Sequence, residues 1–261
     1  MDRIEKAIKD ISSAPATKDE LRKMLTFIDL TSLEGKDNEQ TISVLCTKAK
    51  RIHCAAVCVY PTLATSAKKF LSGTNIKVAS VAGAFPSGQA PLDIRLKEVE
   101  FALKEGAEEI DMVMSRGKFL EGNYSAVSEE ISAFRKICDR ITLKIILETG
   151  ELVSNENIQK ASTIAIDSGV DFIKTSTGKI PAGATVEAVA SMLLAIKASG
   201  AKTGIKPSGG ISNAENAVKY LRLTENILGK EWLTPSRFRI GASSLADALS
   251  LQLADEKKKV G

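Results

Sequence analysis

Histidine is almost missing from this sequence, with His53 the only one in 261 residues. A His-built metal site or a Ser-His-Asp triad would rest on that one residue, beside the start of an expected strand, which argues against much hydrolase and metalloenzyme chemistry. Cys46, Cys54, Cys58 and Cys138 contain no C-x-x-C pair. Their spacing gives no disulfide framework, so reduced cytosolic thiols are the simpler reading. No apolar run approaches the ~20 residues of a membrane-spanning helix. The charged start Met1-Asp-Arg-Ile-Glu-Lys6 has no apolar core of a signal peptide. A basic stripe with interleaved aromatics is also lacking, and three positives of the net +4 come from Lys257-Lys-Lys259. Neither nucleic acid nor membrane is an expected partner, and the expected location is the cytoplasm.

What is present is an ordinary globular composition, 44% hydrophobic and 26% charged. Ile4, Ala7, Ile8 and Ile11 recur at helical spacing, and a second helical stretch runs from about Lys18 to Leu25, so residues 1–25 form a helical extension. A repeating unit follows. Strands are expected at Phe27–Thr31, Ala55–Tyr60, Lys77–Ala82, Glu109–Met114, Thr142–Glu148, Asp171–Thr175, Thr203–Lys206 and Arg239–Ala242. Amphipathic helices such as Ile94–Glu105, Tyr124–Asp139, Asn157–Ser168, Val186–Ala198 and Ala214–Leu223 separate them. Asn123, Ser154 and Thr185 are expected N-caps, and Ser212-x-x-Glu215 reads as a capping box. Gly106, Gly169 and Gly200 close helices.

Right-handed crossovers between eight such strands give a parallel sheet, and eight repeats in ~250 residues fit a closed (β/α)8 TIM barrel. An open doubly wound sheet is the alternative, but no G-x-G-x-x-G follows the first strand. The expectation is one α/β domain over 1–261, with the extra N-terminal helices and a frayed tail over 255–261.

Charge inside these strands is costly without a partner. Asp29, Asp111, Lys144, Glu148, Lys174 and Lys206 all stand in or at the ends of apolar runs. Alternation puts Lys144 and Glu148 on one face, and the barrel interior is a common destination for the set. The lysines carry the most information. A free lysine amine is neutral in only ~1 molecule in 2,500 at pH 7. A second ammonium ~5 Å away opposes protonation by roughly 3 kcal/mol at an effective dielectric near 20. Lys174 and Lys206 lie on consecutive expected strands, which suits one as a Schiff-base nucleophile and the other as its electrostatic activator. Beyond them, Ser208-Gly209-Gly210 and Gly241-Ala-Ser243-Ser244 each lead into a helix, where free backbone N–H groups suit a phosphate. Lys179 and Ser243 are side-chain donors within reach of such a site.

These residues resemble the class I deoxyribose-phosphate aldolase family over most of the chain, from about Leu25 to Leu249. The resemblance rests on Asp29-Leu-Thr, Ala56-Val-Cys-Val-Tyr-Pro61, Glu109-Ile-Asp-Met-Val, Lys144-Ile-Ile-Leu-Glu-Thr-Gly-Glu-Leu152, Asp171-Phe-Ile-Lys-Thr-Ser-Thr-Gly-Lys179, Lys206-Pro-Ser-Gly-Gly210 and Arg239-Ile-Gly-Ala-Ser-Ser244. It implies a barrel, a phosphorylated sugar substrate, no cofactor and no metal. It further implies Lys174 as the Schiff-base lysine, Lys206 as the lysine that activates it and Asp111 as the acid/base residue. Gly209, Gly210, Ser243, Ser244 and Lys179 fall in the phosphate region. Asp29 and Thr177 line the site, with Cys58 near it. The activity implied is reversible cleavage of 2-deoxyribose 5-phosphate in deoxyribose phosphate catabolism. Some members carry a tyrosine at the C-terminus, whereas this chain ends Lys-Lys-Lys-Val-Gly261. A homodimer or homotetramer is left open as the assembly. Two rivals are another Schiff-base aldolase or transaldolase with a different sugar phosphate, and a phosphate-binding protein on an inactive scaffold.

Overall fold

Every apolar run read as a strand forms one. The computed structural model describes residues 3–258 and contains β1 (Ile28–Thr31), β2 (Ala56–Val59), β3 (Lys77–Ala82), β4 (Glu109–Val113), β5 (Thr142–Ile146), β6 (Phe172–Lys174), β7 (Gly204–Lys206) and β8 (Ile240–Ala242). Helices α1 (Arg3–Lys9) and α2 (Lys18–Thr26) precede β1. The helices that follow are α3 (Glu39–Ile52), α4 (Ala64–Phe70), α5 (Leu92–Lys104), α6 (Arg116–Leu120), α7 (Tyr124–Cys138), α8 (Asn155–Asp167), α9 (Val186–Ser199), α10 (Ala214–Leu228) and α11 (Leu245–Lys258). The strands pair in parallel in sequence order from β1 to β7, and β8 returns to β1. Single bridges, Ile205 to Phe238 and Ser208 to Gly241, close the last seam. The result is a (β/α)8 barrel.

Alternation along each strand divides its side chains between two environments. Outward residues such as Leu30, Val57, Ile110, Ile145, Ile173 and Ile205 are buried in the apolar layer shared with the helices. Inward residues differ around the ring. The wall made by β2 and β3 is small and apolar, with Ala56, Cys58, Ala79 and Val81 in one cluster. The rest of the interior carries Asp29, Glu109, Asp111, Lys144, Lys174 and Lys206, all buried.

Helix ends follow local chemistry. Asn123, Ser154 and Thr185 cap α7, α8 and α9, each accepting from a backbone N–H three residues on. Gly106, Gly169 and Gly200 adopt the left-handed conformation expected of them. The expected Ser212–Glu215 box does not form. Asn213 caps α10 instead, accepting from the Asn216 N–H at 2.9 Å, so Glu215 falls one position short of the reciprocal contact. A capping box not anticipated opens α2, where Thr17 and Glu20 exchange hydrogen bonds. The Glu20 carboxylate is then gripped by the Arg222 guanidinium through two hydrogen bonds of 2.7 and 2.9 Å. Arg222 also donates to Ser12 O, Ala14 O and Pro15 O. One arginine of α10 thus fastens the N-terminal extension to the barrel.

The backbone of α11 continues to Lys258, within the stretch expected as a tail. Met1, Asp2 and residues 259–261 lie outside the described residues. No helix among the described residues is long and apolar enough to cross a membrane.

Candidate active site

Six inward side chains close a ring of alternating charge. Lys206 faces Asp29 Oδ2 as an ion pair and donates to Asp111 Oδ2 at 2.6 Å. The contact with Asp29 lacks hydrogen-bond alignment, so it is an ion pair only. Asp111 Oδ1 accepts from Lys144 at 2.8 Å, and Lys144 donates to Glu109 Oε2 at 2.6 Å. Glu109 Oε1 accepts from Arg239 Nη2 at 2.8 Å, and Arg239 Nη1 returns to Asp29 Oδ1 at 2.5 Å. Lys174 stands outside the ring. It donates to Asp111 Oδ2 at 2.8 Å, the same oxygen that Lys206 uses.

Strand register produces this arrangement. Lys174 pairs across β6–β7 with Lys206, and Asp111 pairs across β4–β5 with Lys144. A pair of residues in register on neighbouring parallel strands points the same way, which brings both lysines onto one carboxylate. Gly241 on β8 leaves the room they need. A Cβ there would lie 3.3 Å from Lys206 Cε and 2.8 Å from Ser208 Cβ.

The electrostatics follow from the partners. Burial alone would raise the Asp29 and Asp111 carboxyls, but the cations beside each outweigh it. Lys206, Arg239 and Lys144 hold Asp29 below the ordinary carboxylate range. Lys144, Lys174 and Lys206 hold Asp111 well below it. Burial would make Lys206 shed its proton, yet Asp111 and Asp29 reverse that and keep it an ammonium. Lys144 is raised for the same reason by Asp111, Glu109 and Asp29. Of the three lysines, Lys144 and Lys206 are 0% exposed and Lys174 is 3% exposed. Only Lys174 lines the cavity above.

That cavity, about 430 Å³, lies at the C-terminal ends of the strands. Thr177, Lys179, Gly209, Gly210, Ser243 and Ser244 all line it with Lys174, as does Glu34. Ser243 and Ser244 immediately precede α11, whose N-terminus therefore faces the cavity. Gly209 and Gly210 take positive φ, a conformation that L side chains strain to adopt. Gly183 touches this loop so closely that a Cβ on it would sit 2.2 Å from Gly209 O. The small hydroxyls after Lys174 fix the loops in place. Thr175 Oγ1 donates to Ser208 O and accepts the Ser208 N–H, while Ser208 Oγ donates to Ser176 O. Lys179 is in an ion pair with Glu34 at 3.0 Å.

Two expected positions differ from the site's centre. Cys58 does not line the cavity; it is fully buried in the apolar wall, and burial, with Asp111 nearby, pushes its thiol up. Glu148 does not share a network with Lys144. Its left-handed backbone (φ 54°) turns it toward Thr177, whose Oγ1 and N–H it accepts at 2.5 and 3.2 Å. A larger cavity of about 870 Å³ opens at the opposite end of the barrel. It reaches Arg239 and Glu109 but none of the three lysines.

Residues 23–249 match the family model described as DeoC/LacD family aldolase. The chain belongs to the DeoC/LacD aldolase family. The deoxyribose-phosphate aldolase of Homo sapiens is 46% identical over 255 residues, covering 89% of this chain and 80% of that one. That of Agrobacterium fabrum is 45% identical over 227 residues, covering 85% and 87%. Among solved structures, the tetrameric deoxyribose phosphate aldolase of Aeropyrum pernix superposes with a TM-score of 0.74 at 26% identity, over 93% of this chain and 99% of that one.

In this aldolase the reading of the strands did not assign Glu109 or Arg239 to the site, and it left Lys144 without a role there. The signal was present in the alternation. Glu109 stands two residues before Asp111 and Arg239 two before Gly241, so each shares the inward face.

Proposed function

We propose that this aldolase reversibly cleaves 2-deoxyribose 5-phosphate into acetaldehyde and glyceraldehyde 3-phosphate through a Schiff base on Lys174. The observation that carries the proposal is the position of Lys174 Nζ. It opens into the anion-suited cavity while sharing one Asp111 oxygen with Lys206. The names of the curated relatives support the substrate, and the loop chemistry supports a phosphate at the far end of it.

In this account the neutral Lys174 amine attacks the C1 aldehyde of the open-chain sugar and, with loss of water, forms an iminium. Lys206 remains an ammonium and opposes a second positive charge beside it. Asp111, ionised under its three lysines, accepts the proton of the C3 hydroxyl through a water and passes charge along its contact with Lys206. The C2–C3 bond breaks, the iminium takes up the electron pair as an enamine, and glyceraldehyde 3-phosphate leaves. Protonation at C2 and hydrolysis then release acetaldehyde and restore the amine. Gly209, Gly210, Ser243, Ser244 and the α11 N-terminus hold the 5-phosphate, with Lys179 exchanging Glu34 for it. That anchor presents C1 to Lys174, a positioning effect. Asp29 orients Lys206, Thr177 braces the loop that follows Lys174, and Cys58 packs behind Asp111. The reaction serves deoxyribose phosphate catabolism. We place it in the cytoplasm, where its four free, buried thiols stay reduced.

Substrate profiling tests the assignment. Incubation with 2-deoxyribose 5-phosphate is expected to yield equimolar acetaldehyde and glyceraldehyde 3-phosphate. Faster turnover of a different sugar phosphate, or condensation that does not accept acetaldehyde as donor, contradicts it.

A further inference from the structure

Arg239 and Glu109 sit at the N-terminal ends of their strands, on the side of the ring away from the catalytic cavity, and both border the opposite cavity. They are nevertheless members of the closed ring that ends at Asp111. Within it, Lys144, Lys206 and Arg239 balance Asp29, Glu109 and Asp111, three charges against three. Lys174 is then a fourth cation with no carboxylate of its own. Lys144 and Lys206 each meet at least two carboxylates, whereas Lys174 meets one that is already shared.

We infer that Arg239 and Glu109 are positioning residues that set the charge state of Lys174 from the far side of the barrel. A buried network tolerates uncompensated charge poorly. Arg239 cannot relieve the surplus, because a guanidinium keeps its proton under all ordinary conditions. The surplus is relieved at Lys174, the least compensated cation and the one open to the cavity. This rests on the Schiff-base reading of Lys174.

The other groups around Lys174 do not supply the same control. From β2 comes the buried Cys58 thiol, which is neutral, and β3 contributes Ala79 and Val81, its Lys77 standing at the far end. The buried Glu148 beyond β5 is turned to Thr177 and Arg116. Lys179 and Glu34 at the cavity mouth form a pair of their own. On the far side, the Cys54 thiol is buried and held neutral. Asp171 and Lys77 are paired with Arg135 and Glu108, leaving Lys50 and His53 as the remaining titratable lining. Arg239 is fixed in place by the Phe172 ring, 5.7 Å from its guanidinium carbon, and Phe172 in turn fills the space above Gly204, where a Cβ would meet it at 2.6 Å.

Reductive trapping of Lys174 with acetaldehyde and borohydride, followed from pH 6 to pH 10 in the full-length chain, tests the inference. One unit charge at about 10 Å and an effective dielectric near 20 is worth about tenfold. Arg239→Gln removes the surplus and is expected to trap about tenfold more slowly than wild type at pH 7, with the ratio returning toward one as the pH rises. Arg239→Lys keeps the charge and is expected to keep the wild-type profile. The double variant Arg239→Gln/Glu109→Gln restores the surplus and is expected to do the same. A deficit in Arg239→Gln that is equal at every pH, or a double variant further from wild type than the single one, overturns the inference. If Arg239→Gln does not fold, the double variant and Arg239→Lys carry the test, and a tenfold displacement of either profile overturns it. Absence of any adduct on wild-type Lys174 overturns the Schiff-base reading and this inference together. A wild-type adduct with a pH-independent Arg239→Gln ratio overturns this inference alone.

Discussion

Lys174 differs from the other cations of this network by what it does not have: a second carboxylate, since it meets Asp111 alone and shares it with Lys144 and Lys206. That difference makes small residues nearby matter as much as charged ones. At Gly241 any side chain meets Ser208 at 2.8 Å and crowds Lys206 Cε at 3.3 Å. Gly241→Ala is therefore expected to lower kcat by up to about 100-fold, the scale of an ångström-sized misplacement, with little change in fold. Steady-state kinetics beside a thermal melt check this, and an unchanged kcat contradicts it. Gly183→Ala acts on the other end of the substrate. Its methyl would collide with the Gly209 carbonyl, which is backbone and cannot swing away. The expected result is a raised KM for the phosphorylated sugar and no comparable change for the sugar without phosphate, read from paired kinetics on the two. At this scale Lys174, Lys206 and Asp111 were legible because a charge in the middle or at the end of an apolar strand has no cheap explanation. Glu109 and Arg239 were not, because a polar residue at a strand's first position ordinarily marks its exit to solvent. Alternation puts both on the inward face, but only the closure of the barrel brings them onto one another.

Among the elements, the loops after β6 and β7 behave as one unit, stitched by Thr175, Ser176 and Ser208. The run Thr175-Ser176-Thr177 looked like a small-residue loop and is a set of fasteners: the Thr175 hydroxyl and the Ser176 backbone hold Ser208 of the next loop, and the Thr177 hydroxyl holds Glu148. Spacing alone does not reveal this, since hydroxyl partners lie about 30 residues away. Capping shows the same limit, because both Ser212 and Asn213 are good N-caps by composition and only the packed chain selects Asn213. The N-terminal extension was legible as two helices but not as an attached element. Arg222 attaches it, and with Thr17 it holds the Glu20 carboxyl down at about 2. A carboxyl lowered in the fold contributes stability that is fully present above its ordinary value near 4.5 and is lost as the pH falls through about 2. Arg222→Ala is expected to raise amide exchange in residues 3–26 about tenfold at pH 7, matching the ~1.5 kcal/mol of one charged hydrogen bond. Exchange unchanged in that segment would show that α1 and α2 are held by apolar packing instead.

For the whole molecule, the barrel has two unlike interior walls: a small apolar one from β2 and β3, and a charged one completed by the remaining strands. Eight strands and their order were legible from repeat length and apolar runs. The charged interior was legible only as a list of residues, since which carboxylate meets which amine depends on register and closure. The ring also sets how the protein responds to acid. Asp29 and Asp111 are both held below the ordinary carboxylate range, so their stabilisation is complete above about pH 4 and is lost as the pH falls through their lowered values. Asp29→Asn leaves Lys206 and Arg239 short of a carboxylate and is expected to cost roughly 3–5 kcal/mol at pH 7 while flattening the acid limb. Denaturant melts between pH 2 and pH 7 measure both. The claim on which the account turns is that Lys174 carries the covalent step. Borohydride reduction in the presence of acetaldehyde, followed by peptide mass mapping, reads it directly. The account predicts an ethyl adduct on Lys174 that disappears in Lys174→Leu; no adduct, or one that survives that substitution, contradicts it.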